Sequence, residues 1–202
     1  GKTESSLLWL NKDKGFYTLP LKVASNAIYK RIKESYASPE KDSIALLHSD
    51  SFEILKENDI KYEEYKQMRL LNSPLTICTV DQIFKFPFKA LGQEIYAATL
   101  SYSKVIIDEI QMYSPLILAC ILTGLKIIVN NGGKFLITTA TFPKFLENKL
   151  AEVIGEENYE IKSFIKEDEI KRHWIKIINN DFDYEKIVNS SKDKKILVIC
   201  NI

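Results

Sequence analysis

Along the chain, short continuous apolar runs alternate with longer stretches whose apolar positions recur at helical spacing. GFYTLPL (15–21), SIALLHS (43–49), LTICTV (75–80), KVIIDE (104–109) and KFLITTAT (134–141) have the length and β-branched content of buried strands. Between them, GKTESSLLWL (1–10) and ASNAIYKRIKESYA (24–37) read as helices, and another opens near Asp81. SPLILACILTGLKIIVNNGG (114–133) starts on Ser-Pro and ends on Asn-Asn-Gly-Gly. That punctuation fits an N-cap with proline at the first helical position and a left-handed C-terminal cap. Continuous apolar strands separated by helices predict a parallel sheet covered on both faces, an α/β fold. The charged and aromatic stretch 52–73 reads as an insertion or a surface helix. Near residue 165 the character changes. HWIKII (173–178) reads as a strand, DFDYEKIVNSS as a helix and KKILVICNI (194–202) as a further buried strand, the opening of an incomplete α/β unit.

The chain has 202 residues, enough for one α/β domain and part of a second. Its net charge of +1 argues against a uniformly basic coat. Seven Lys/Arg fall within residues 1–33 against Glu4 and Asp13, and a solvated lysine-rich surface explains them. Cys78, Cys120 and Cys200 sit in apolar surroundings and read as reduced core thiols. His48 and His173 stand too far from them for a zinc site. No apolar stretch reaches membrane-spanning length and no signal peptide is visible, so a cytoplasmic protein is expected.

Three short motifs carry chemistry. Gly1-Lys2-Thr3 is the tail of a phosphate-binding loop, in which the lysine reaches the phosphates and the hydroxyl holds Mg²⁺. Asp108-Glu109 end an apolar strand, where a carboxylate pair either caps the next helix or holds a metal and activates water. Thr139-Ala140-Thr141 end the next strand; alone they read as a β-branched core run. Together, the three fall in order on strand ends that a doubly wound sheet brings to one edge.

On these motifs the sequence resembles the first RecA-like domain of a superfamily 2 helicase of the DEAD/DEAH-like P-loop NTPases. TLPLKVASNAIYKRI (18–32), LLHSDS (46–51), TVDQIF (79–84) and SYSKVIIDEIQMYSP (101–115) narrow the resemblance to the helicase of type I CRISPR systems. That helicase-nuclease degrades target DNA recruited by the Cascade complex. The resemblance implies a first RecA-like domain over 1–168, and over 169–202 a linker and the start of a second. It implies ATP and Mg²⁺ as cofactors. Gly1, Lys2, Thr3, Thr139 and Thr141 would serve the nucleotide, and Thr3 and Asp108 the metal. Glu109 would polarise the attacking water, and Gln111, where many relatives carry His, would sense the γ-phosphate. Pro20, Leu21, Lys22, Thr79, Asp81 and Gln82 match segments that touch the backbone of single-stranded DNA. The implied partners are that strand and a Cascade-type complex, in a prokaryotic cytoplasm and with no membrane.

The upstream half of the phosphate loop, the arginines of the second domain and the nuclease domain are not in the sequence; neither His48-Ser49 nor His173-Trp174 supplies a His-Asp pair. An arginine finger contributes about 10³ to 10⁵ in related NTPases, so the 202 residues alone are expected to turn over little ATP. Two alternatives stay open: a generic DEAD/DEAH-type RNA or DNA helicase, and a non-catalytic module that keeps the fold to bind nucleic acid or a partner.

Overall fold

The computed structural model describes residues 1–35, 44–57, 59–89, 91–164 and 184–199. They divide into two compact units, Gly1–Ile161 and Lys162–Ile202. The first holds five strands: β1 (Gly15–Leu19), β2 (Ile44–Leu47), β3 (Leu75–Thr79), β4 (Lys104–Asp108) and β5 (Lys134–Thr138). All pairings are parallel, in the order β2-β3-β1-β4-β5. The expected α/β fold is therefore present. Its chemistry-bearing edge is the one where the strands end.

Helices supply each crossover: α1 (Lys2–Leu10) leads into β1, and α2 (Lys22–Ser35) joins it to β2. α3 (Ser51–Lys56) and α4 (Tyr62–Arg69) lead to β3; α5 (Val80–Ile83) and α6 (Glu94–Ser101) lead to β4. α7 (Pro115–Asn130) joins β4 to β5, and α8 (Lys144–Ile154) follows. Every residue of β1 is buried, as are the last four of β3 and of β4. Consecutive burial means that both faces are covered, since alternate side chains point to opposite faces. Phe16, Tyr17, Ile77, Ile106 and Ile107 are fully buried, and each such side chain contributes about 1.5–3 kcal/mol.

α7 starts and stops as its punctuation predicts. Pro115 occupies the first turn, although the Ser114 hydroxyl makes no capping hydrogen bond. Gly132 adopts φ 93°, and the N–H groups of Gly132 and Gly133 return to Val129 and Ile128 carbonyls at 3.0 Å each. Gly124 lets α7 approach the Phe84 ring: a Cβ there would sit 2.5 Å from it.

Five expectations change. Stretch 52–73 forms two helices, with Leu55 and Met68 buried and Phe52 packed on Tyr62 and Tyr65 at centroid distances of 5.4 and 5.1 Å. β5 is a half-buried edge strand, not a central one, because among the described residues only β4 pairs with it. It also stops at Thr138, which leaves Thr139 to Thr141 in the following loop. In the second unit, α9 (Tyr184–Ser190) matches the expected helix, but residues 195–199 form no strand. Leu197 and Ile199 are 83% and 85% exposed: an apolar run is buried as a strand only beside a partner, and none pairs with it among the described residues. Cys78 is buried as expected, whereas Cys120 is half-buried, 3.2 Å from the Phe84 carbonyl. HWIKII, Cys200 and the 168/169 boundary lie outside the described residues.

Candidate functional site

β4 delivers Asp108 to the rim of the sheet, where it is 7% exposed. Three donors hold its carboxylate. Tyr17 Oη donates to Oδ2 at 2.9 Å; Thr138 Oγ1 and the Glu109 N–H donate to Oδ1 at 2.8 and 3.1 Å. The reading of Asp108 as a helix cap has no counterpart here. Its donors come from strands on either side and from the next residue.

Glu109 turns the chain out of the strand. It adopts a left-handed conformation, φ 50° and ψ 49°, which costs a non-glycine residue about 1–2 kcal/mol. Hydrogen bonds on both sides over-determine it. Its N–H donates to the Thr138 carbonyl at 2.8 Å, and its carbonyl accepts from the Met112 N–H at 2.9 Å. The twist aims the carboxylate at the start of the chain, where Lys2 Nζ donates to Oε1. Gln111 Nε2 donates to Oε2 at 2.7 Å. Gln111, then Lys2 and the Ala140 backbone, hold the Glu109 carboxyl below the usual range against the opposing effect of burial.

The network continues into the loop after β5. Thr139 Oγ1 lies 2.6 Å from Gln111 Oε1 and 2.7 Å from the Thr141 carbonyl, so its one proton serves either oxygen. The Thr141 N–H donates back to Thr139 Oγ1 at 3.2 Å. Lys2, Glu109, Gln111, Thr139 and Thr141, expected from three separate motifs, thus form one connected cluster. Thr3 follows Lys2 in the first turn of α1 and is half-buried. Gly1 stands at the N-cap of α1, one residue before Lys2.

The other expected set lies one strand over. β1 pairs with β3, with Leu19 opposite Thr79, so Pro20-Leu21-Lys22 and Thr79-Asp81-Gln82 emerge side by side. Lys22 Nζ meets Asp50 at 3.0 Å, and Gln82 donates to Asp81. Thr79 occupies the N-cap position of α5 without a side-chain cap bond. Beside these loops opens an apolar groove of about 380 Å³, bounded by Pro20, Thr79, Phe84, Phe88, Leu116 and Ile117. The early cations make no basic face here: Lys2, Lys22, Lys30 and Arg31 each meet an acid.

Sequence reasoning missed Tyr17, Thr138, His48 and Asp50. The first two lie inside strands, where an aromatic or β-branched residue signals only packing. Among the described residues no group of three His, Cys, Asp or Glu could hold a metal. Asp108 with Thr3 suits Mg²⁺ all the same, since that ion usually takes one or two protein oxygens and completes its shell with waters and phosphates.

This five-stranded parallel sheet with its helices has the RecA-like α/β fold. No family model matches the chain. It is 30% identical, in an alignment covering all of it, to the CRISPR-associated nuclease/helicase Cas3 of Methanothermobacter thermautotrophicus. The putative Cas3 of Methanocaldococcus jannaschii is 31% identical over 81% of the chain. The crystal structure of T. fusca Cas3 superposes on 80% of the chain with a TM-score of 0.66 at 19% identity, and the match takes in 20% of that chain. The T. fusca Cas3-ATP structure gives 0.65 at 20% identity, over 76% of this chain and 19% of that one. The chain is homologous to a helicase segment of the CRISPR-associated nuclease/helicases, and spans 27% and 25% of the two curated relatives.

Proposed function

We propose that this chain is the ATP-binding and hydrolysing core segment of a superfamily 2 DNA helicase in CRISPR antiviral defence, moving on single-stranded DNA within the full-length protein. The observation that carries this is the joining of Lys2 to Glu109, residues 107 apart in sequence, with Gln111 and Thr139 closing the same cluster.

In this reading residues 1–168 are a first RecA-like domain, and 169–202 a linker and the start of a second. Lys2 leaves Glu109 and meets the incoming phosphates, aided by the backbone of Gly1. Thr3 and Asp108 would hold Mg²⁺, which when bound would supply positive charge beside the phosphates. Glu109, released from the lysine, orients and polarises the attacking water. Gln111 bridges Glu109 to Thr139, so loss of the γ-phosphate is passed to the Thr139–Thr141 loop. Pro20, Leu21, Lys22, Thr79, Asp81 and Gln82 touch the sugar-phosphate backbone, which suits a motor indifferent to sequence. A Cascade-type complex would deliver the strand in a prokaryotic cytoplasm; no described helix is long and apolar enough to cross a membrane.

The test is ATP hydrolysis by the intact protein. Turnover stimulated by single-stranded DNA above RNA, and lost in Glu109→Gln with ATP binding retained, supports the reading. Equal stimulation by RNA favours a generic helicase. Absence of nucleotide affinity favours a binding module.

A further inference from the structure

Three donors hold the Asp108 carboxylate, and one of its two side-chain anchors comes from Tyr17, which none of the motifs contains. β1 lies beside β4 with Tyr17 opposite Ile106. Asp108 is two residues further on, hence on the same face, within reach of a long aromatic side chain. Tyr17 is fully buried and its hydroxyl meets Oδ2 at 2.9 Å. On the other side Thr138, directly opposite Asp108 in the register, meets Oδ1 at 2.8 Å. An ionised carboxylate has about four acceptor positions. The two side chains and the Glu109 N–H take three, which leaves about one for a further partner.

The Tyr17 hydroxyl carries a single proton, and that proton goes to Asp108. Tyr17 therefore secures Asp108, one of the two residues read above as holding the metal. A tyrosine serving only to fill the core needs no such partner. The ring could be phenylalanine without loss of volume.

We propose that Tyr17 is a positioning residue for the divalent cation, its hydroxyl fixing the Asp108 carboxylate in the orientation that presents its remaining acceptor position to the metal. This rests on the nucleotide and magnesium reading above. Outer partners of metal-holding groups commonly change affinity about 10- to 100-fold when removed.

The experiment is binding of Mn²⁺ with ADP to the intact protein, followed by electron paramagnetic resonance, alongside metal-free ADP binding and thermal unfolding. Tyr17→Phe is expected to weaken Mn²⁺ binding about tenfold, with metal-free ADP affinity unchanged. Thr138→Val, which removes the opposite donor, should weaken it in the same direction and carries the test if Tyr17→Phe fails to fold. Thr138→Ser, which keeps the donor, should bind like the wild type. Wild-type Mn²⁺ affinity in Tyr17→Phe, or in Thr138→Val where that variant carries the test, would overturn the inference and leave the nucleotide reading standing. A wild-type protein that binds no Mn²⁺ with ADP would overturn both.

Discussion

Two halves of the same sheet edge are built on opposite plans. At the ends of β4 and β5, polar side chains bond across long sequence separations: Tyr17 to Asp108, Lys2 to Glu109, Gln111 to Thr139. At the ends of β1 and β3 the bonds are local or peripheral. Gln82 meets its neighbour Asp81, Lys22 meets an exposed Asp50, and Leu21 is 54% exposed. The first half is preorganised, as a site must be when a 1 Å error in placing a water is expensive. The second is open, as suits contact with a repeating backbone that presents the same charge at every step.

If that division is right, mutations on the two halves should differ in size and in kind. Glu109→Gln should produce the largest effect, a fall in kcat of about 10² to 10⁴ with ATP binding intact, measured in the intact protein with single-stranded DNA present. A drop of only a few-fold would break the comparison at its stronger side. Gln111→Ala comes next. It cuts the only described side-chain bridge between Glu109 and the Thr139 loop. ATPase should persist at about a tenth of the wild-type rate, roughly 1.4 kcal/mol, and unwinding should fall further than hydrolysis. Equal losses in both would mean that Gln111 only orients the glutamate. Lys22→Ala should do less. Single-strand affinity should fall a few-fold, and the salt slope should shrink by about 0.7, one phosphate contact on a single strand. ATPase at saturating DNA should not change.

How much of this edge was legible depended on the physics behind each part. Strand β4 was plain because Val105-Ile106-Ile107 are apolar and β-branched in succession, and only a strand covered on both faces buries such a run. β5 has nearly the same composition and is half-exposed, because what decides its burial is a neighbour, which no local pattern encodes. The run at 194–199 fails for the same reason. Lys2, Glu109 and Thr139 could be grouped because their spacing matches motifs whose chemistry needs convergence. Tyr17 could not, since its partnership with Asp108 depends on the β1–β4 register. The left-handed turn at Glu109 was equally hidden, because glutamate carries no sign of it; it is imposed by the bonds to Thr138 and Met112.

The smallest expected effect probes the open half through His48, whose side chain is buried although the loops around it are exposed. Its Nε2 lies 2.7 Å from Asn26 Oδ1, and its Nδ1 accepts the Asp50 N–H at 3.2 Å. Burial lowers its pKa; Asp50 and Asp81 oppose this and Lys22 assists. The folded state thus prefers the neutral ring more than the unfolded chain does. The stability this contributes is complete above the unfolded value of about 6.5 and is lost as pH falls through the lower folded value. Thermal unfolding between about pH 7.5 and pH 5.5 should therefore show the wild type losing of the order of 2 °C more than His48→Gln. Single-stranded DNA sharpens the measurement. A phosphate that draws Lys22 from Asp50 frees that carboxylate to favour the charged ring, so bound DNA should reduce the acid sensitivity. An acid response identical in both variants would mean that His48 is not held neutral by the fold, and one that DNA leaves untouched would mean that the Lys22–Asp50 pair is not where the strand binds.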